Sequence, residues 1–313
     1  MSEDIYSNVL AEEFLPGVMH PFNWSVLAGM VDIGWNRIRR DLQVEGEETQ
    51  IVRTFHHHAY WNLTKISAML RSAGLPQIVI DRLFEVPTSR EQAVLDEVTA
   101  DQVLMIDRSA IAQNMEQSIL ESKRRLEEAH RKKGDRETEE EIIQELDQIF
   151  DIIGEAIFRE TSAWLLIGLN LSILDEWTGH QKGHKLRKAH PANTVQTPES
   201  KLEEVRSMAN RFHSLWELSH TVRTQGQGLA EERLYELGER FVKWNLLKTN
   251  EDIRYLTVHE VRQIISGGCS TNTCNNYALR ARVRRTEIEE HALGILPPFI
   301  KGEVPPLLPW KKE

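Results

Sequence analysis

Apolar residues recur at spacings of three and four along most of the chain, the pattern of amphipathic helices. After a loop containing Pro16-Gly17 and Pro21, Asn23 is placed to cap a helix whose inner face is Trp24, Leu27, Val31, Trp35, Ile38 and Leu42. The pattern then changes. Gln43-Val44, a turn containing Gly46 and the run Gln50 to Phe55 suit a short β-hairpin better than a helix. A second helix is expected from Asn62 to Gly74-Leu75-Pro76, where Gly and Pro supply a stop signal.

Two long helices are expected over Asp101 to Lys133 and Glu137 to Trp177, divided at Gly134-Asp135. In the second, Ile143, Leu146, Phe150, Ile153 and Ile157 form the seam of an antiparallel pair. Glu121 to Asp147 holds ten acids and seven bases, a near-balance that reads as a solvated helical hairpin rather than a charged tail. Residues 179–200 read as a mobile loop. Helical spacing resumes at Lys201 and runs to Trp244 with an expected break at Gln225-Gly226-Gln227-Gly228. Next come a turn, a strand-like Ile253 to Thr257, and a helix capped by Thr257 with Glu260 three residues on, a capping box. The proline-rich residues 296–313 read as an extended connector behind a helical unit of residues 1–295. The expected fold class is mainly α, with a long helical hairpin and a small β element.

Composition narrows the function classes. With 38 basic against 48 acidic side chains and a net charge of -10, the chain of 313 residues is ill suited to neutralise phosphates, so no nucleic-acid partner is expected. The longest apolar run, Ala163 to Leu174, is too short to span a bilayer, and the N-terminus has no signal pattern; no membrane is expected and the chain reads as cytoplasmic. Only Cys269 and Cys274 occur, so no disulfide framework supports the fold.

Phosphate-loop, nucleophile-elbow, HExxH and CxxC motifs are absent from the sequence, and the two cysteines lack a second pair, so no metal site is expected. His56-His57-His58 is the most conspicuous cluster. On a strand, His56 and His58 share one face and His57 takes the other, and no acidic third ligand stands in register nearby. Two imidazoles then share a pocket, or one or two are surface residues at a strand–helix junction.

Four segments, in order, carry a resemblance. Phe14-Leu15-Pro16-Gly17-Val18-Met19-His20-Pro21-Phe22-Asn23-Trp24-Ser25 is similar to LPGxxTPLTWS; His57-His58-Ala59-Tyr60-Trp61-Asn62 stands where GRxYxN is found. Glu236-Leu237-Gly238-Glu239-Arg240-Phe241, followed by Asp252-Ile253-Arg254-Tyr255-Leu256-Thr257, is similar to ELGxRL with DIFYLT, and Leu296-Pro297-Pro298-Phe299-Ile300-Lys301-Gly302 to a PPxxxG linker. Together they resemble the central acceptor domain of the phosphoenolpyruvate synthase-like phosphotransferases, which include rifampicin phosphotransferase and the phenylphosphate synthases.

The resemblance implies an acceptor-binding subunit of a split enzyme. A partner ATP-grasp subunit would use ATP and Mg, a second partner would carry a phosphohistidine on a swivelling domain, and this chain would bind no cofactor itself. The acceptor would be a small hydroxyl compound, phenolic or otherwise aromatic. By position, the family's Arg-Glu-x-x-Lys stretch falls on Trp216, Glu217 and His220, with Arg223 one step further. The expected catalytic set is His220, Glu217, Arg223 and His57, unless the first three are an exposed polar helix face. His20, Trp24, His56, His58, Tyr60, Trp61, Trp216 and His180 are the expected substrate-binding residues, the aromatics being pocket walls or ordinary core. The alternative is a noncatalytic ligand-binding or adaptor protein derived from such a domain.

Overall fold

The computed structural model describes residues 4–9, 11–15, 17–42, 44–73, 80, 84, 107–131, 138–183, 198–267, 271–302 and 308–309. The fold is mainly α. Among the described residues its helices include α1 (Ala11–Phe14), α2 (Pro21–Asp41), α3 (Leu63–Ser72), α4 (Arg108–Arg131), α5 (Glu139–Gly183), α6 (Pro198–Lys243), α7 (Val258–Ile265) and α8 (Thr271–His291). Among the described residues, none is long and apolar enough to cross a membrane.

Two helices set the frame. At 1.5 Å per residue, α5 with 45 residues and α6 with 46 each extend roughly 68 Å. They pack along one another, with α2 and α4 against them. The expected seam Ile143, Leu146, Phe150, Ile153 and Ile157 is buried throughout. Two ion pairs are buried in the same interface: Glu145 with Arg233 at 3.1 Å, and further along α5, Glu160 with Arg223 at 2.8 Å. The reversed order on α6 is what antiparallel packing requires.

The break expected at Gln225 to Gly228 does not occur; α6 continues through it. A Cβ on Gly226 would stand 2.9 Å from Ile153, so this glycine permits close approach to α5 rather than ending a helix. Gly238, within the ELGxRL-like segment, has the tightest approach, since a Cβ there would lie 2.3 Å from the Asn250 carbonyl oxygen. At the first expected loop boundary α5 extends to Gly183, and α6 begins at Pro198; the intervening part of 179–200 and Gly134-Asp135 lie outside the described residues.

A four-stranded antiparallel sheet, in the order β2 (Val52–Phe55), β3 (His58–Asn62), β1 (Ile5–Ser7), β5 (Phe299–Lys301), completes the fold. The hairpin partner of β2 is therefore β3, which follows it, and not Val44. Arg39 instead holds the Val44–Gly46 loop by donating to both carbonyls. β5 lies in the expected connector, pairing with β1 in the register Tyr6 to Ile300. A two-residue pair, β4 (Gly294–Ile295) with β6 (Leu308–Pro309), stands apart.

Caps explain several boundaries. The Asn62 side chain accepts from Lys65 N at the start of α3, as expected. Helix α2 starts earlier than Asn23: His20 is its N-cap and Pro21 its first residue, where a missing N–H costs nothing. Asn250–Tyr255 is a 3-10 helix, not a strand, because Thr249 and Asp252 form a reciprocal cap that closes a turn. The capping box of Thr257 and Glu260 opens α7 as read from the sequence.

Candidate functional site

The loop from Phe14 to α2 forms one wall of a cavity of about 260 Å³, lined by Leu15, Val18, Met19, His20, Asn23 and Leu27, with Phe150 from α5 and Gln227, Ala230 and Glu231 from α6 opposite. The segment most like LPGxxTPLTWS thus forms half of a mixed apolar and polar cleft, just below the range of about 300–1,000 Å³ usual for ligand pockets. Of the expected site residues, His20 is the one that lines it. Its ring stands edge-on to Tyr255, at 5.3 Å between centroids. Burial lowers its pKa below the ordinary 6.5, and the Arg254 guanidinium lowers it further, so the imidazole is neutral at neutral pH.

Behind this wall sits a charged network. Arg223 is buried, donating from Nε to Glu160 Oε2 at 2.8 Å and from Nη1 to the Phe14 carbonyl at 3.1 Å and to Gln227 Oε1 at 3.2 Å. Its Nη2 lies 3.0 Å from His220 Nδ1, and Glu160 Oε1 lies 3.4 Å from the same nitrogen. Arg223 therefore ties α5, α6 and the cavity loop together from inside. It holds Phe14 and Gln227 in place rather than facing the cavity. Burial and the adjacent Arg223 lower the His220 pKa.

Glu217 stands apart from His220. It lies on the exposed side of α6, 3.5 Å from His213, and the carboxylate beside His220 is Glu160. Trp216 stacks on His220 at 5.5 Å and is half-buried. Glu160 was legible in principle, since the apolar spacing Ile153, Ile157 continues onto it: a carboxylate on a buried seam needs a partner.

The hairpin residues separate. Along β3, Trp61 turns into the main core between Phe14 and Trp35, while Tyr60 joins Tyr6, Phe55 and Ile300 on the other side of the sheet. Both are wholly buried, so neither presents a face to the cavity. Tyr60 donates to the Pro297 carbonyl at 2.8 Å, and burial pushes its pKa up to about 12. Trp24 is half-buried on α2, packed against the core. The His180 side chain lies outside the described residues.

His56 and His57 are not on a strand. They are the two central residues of the β2–β3 turn, with φ of 48° and 65°. A two-residue hairpin turn with both central φ positive is normally filled by Asn-Gly or Asp-Gly, and a side-chain-bearing residue there costs of order 1–3 kcal/mol. The alternation expected for His56, His57 and His58 therefore fails. The turn is docked, however: Met19 N donates to the His57 carbonyl at 2.7 Å, and Val18 bridges to His58. The histidine turn thus abuts the cavity loop. Burial lowers the pKa of both His57 and His58.

A larger concavity of about 560 Å³ lies on the outer side of α6, where Glu231, Glu232, Glu236 and Glu239 outnumber Arg233 and Arg254. That balance disfavours an incoming phosphoryl anion. Comparison with known proteins finds no matching family model and no matching curated protein.

Proposed function

We propose that this chain seats a small hydroxylated aromatic acceptor in the cavity beside His20 and presents its oxygen to a phosphohistidine on a separate subunit. That subunit would be charged by an ATP-grasp partner using ATP and Mg. The observation that carries the reading is the position of the cavity: Leu15, Val18, Met19, His20 and Asn23 of its first wall belong to the Phe14 to Ser25 segment that bears the family resemblance, and they bring a neutral imidazole with them. In the transfer, the acceptor oxygen bonds to phosphorus as the phosphorus–nitrogen bond of the phosphohistidine breaks. The acceptor proton passes to His20. Products are the phosphate ester and the unmodified histidine of the partner.

The network assigns supporting roles. Arg223 positions the wall through Phe14 and Gln227, and Glu160 holds Arg223. Arg254 is close enough to His20 to disfavour its protonated form, which keeps the imidazole free to take a proton. One observation favours binding without turnover: among the described residues no Lys or Arg lines this cavity, and the nearby Arg254 lies 3.7 Å from the cavity carboxylate Glu231.

Calorimetric titration with phenols separates these readings from neither being right. The purified chain is expected to bind a phenol, and Ala230→Trp, which fills the cavity at an overpacking cost of about 1–3 kcal/mol because Ala230 is buried, to abolish binding. Equal binding by both proteins would remove the cavity from the account. Binding with no ester formed when the charged partners are supplied would favour the adaptor.

A further inference from the structure

Residues far apart in sequence meet at the histidine turn. Glu287 and His291 stand one helical turn apart at the end of α8, and the chain brings that end against the β2–β3 turn. One ligand atom from each of His57, Glu287 and His291 lies within 4.8 Å of the other two. His57 Nε2 is 3.8 Å from Glu287 Oε1, and the His57 and His291 rings are 5.1 Å apart between centroids. Nδ1 of His291 is buried and finds no hydrogen-bond partner among the described residues.

We propose that His57, Glu287 and His291 form a binding site for a divalent transition metal of the zinc class. Three ligand atoms in this cluster need to close by about 1 Å to reach the separations set by zinc bonds of about 2.0–2.2 Å. Two imidazoles and one carboxylate suit Zn²⁺ or Fe²⁺ and disfavour Mg²⁺ and Ca²⁺, which take oxygen ligands. The donors converge at the C-terminus of a 21-residue helix, the end at which the peptide dipoles favour a cation. A metal would also account for the turn itself. Histidine at positive φ is poorly chosen for a plain hairpin, but here the turn aims an imidazole at α8.

Such a site leaves a coordination position open beside the exposed Glu287, and it would clamp the turn to α8. Because His57 O receives Met19 N, the clamp would reach the cavity loop. The site stands on its own geometry and does not depend on the phosphotransfer reading.

The test uses the full chain, stripped with EDTA and titrated with Zn²⁺ against a chromophoric chelator. One zinc per chain is expected, with Mg²⁺ failing to compete. Glu287→Gln and His291→Gln should each weaken zinc binding at least about tenfold. His57→Asn is the sharper variant, because asparagine suits positive φ: the metal-free protein should keep its Tm or raise it, yet lose zinc affinity. His56 is not one of the three ligands, though its ring stands 5.0 Å from that of His291, so His56→Asn should weaken zinc binding less than any of the ligand variants. Absence of zinc binding would overturn the proposal, as would equal affinity in the three ligand variants, or a thiolate charge-transfer band in the Co²⁺ spectrum, which would place the metal on cysteine.

Discussion

Arg223 is the residue on which most of the candidate site depends. It is 3% exposed and its partner Glu160 1%, so removing the guanidinium leaves a carboxylate buried without its cation. Arg223→Ala should therefore cost about 3–5 kcal/mol by denaturant unfolding. Replacing both partners, as Arg223→Met with Glu160→Leu, should cost less than the single change, because the uncompensated charge goes with its partner. A double variant no better than the single would show that the Phe14 and Gln227 contacts dominate. His20 calls for a different readout. His20→Gln should leave phenol binding within a few-fold and reduce phosphoryl transfer by about 10²–10⁴, seen as a fall in kcat with little change in KM. Residue roles were only partly legible in the sequence. His20 is visible because it sits in a recognisable segment, and Glu160 because the seam spacing buries it, whereas the grouping of His57 with Glu287 and His291 arises only when α8 meets the β2–β3 turn.

Helical glycines make opposite predictions at the scale of the element. At Gly238, a methyl group would meet the rigid Asn250 backbone at 2.3 Å, so Gly238→Ala should destabilise by about 1–3 kcal/mol. At Gly228 nothing lies within 4 Å, and the residue is exposed on the same helix. Gly228→Ala should stabilise by up to about 1 kcal/mol through helix propensity. Thermal unfolding of the two variants reads both signs. The pair also shows why the expected break in α6 did not appear: composition cannot tell a glycine that ends a helix from one that lets another element approach. The β2–β3 hairpin was missed for a related reason. Its turn residues are histidines, so the turn carries no Asn-Gly signal, and the one nearby glycine, Gly46, lies in a loop that Arg39 holds instead. Strand β5 was illegible because its pairing with β1 joins opposite ends of the sequence. By contrast, the Thr257–Glu260 capping box is legible because it is set by residues three apart, whereas Asn23, expected to cap α2 on the same local logic, lies inside that helix.

For the whole molecule, acidification should be costly. Burial lowers the pKa values of His20 and His220 from the ordinary 6.5, so the unfolded chain takes up protons more readily than the native one as pH falls. The stability these neutral imidazoles contribute is fully present above pH 6.5 and is lost as pH falls through the lowered folded values. In EDTA, Tm should drop from pH 7 to pH 5.5, and the drop should be shallower in His20→Gln and His220→Gln; an equal slope in all three proteins would assign the effect elsewhere. The helical frame was the most legible part of the molecule, because Ile143 to Ile157 repeat the spacing that buries them. The cavity was not, since its walls come from the α2 entry loop, α5 and α6, which only tertiary packing unites. The central claim concerns what that cavity is for. The most direct measurement is ATP-dependent formation of an aryl phosphate by the complex purified through this chain, compared with the Ala230→Trp complex. The account predicts an ester from the wild-type complex, and from the variant the same partners with a phosphorylated histidine but no ester. Equal ester formation by both, or no phosphohistidine in either, would contradict it.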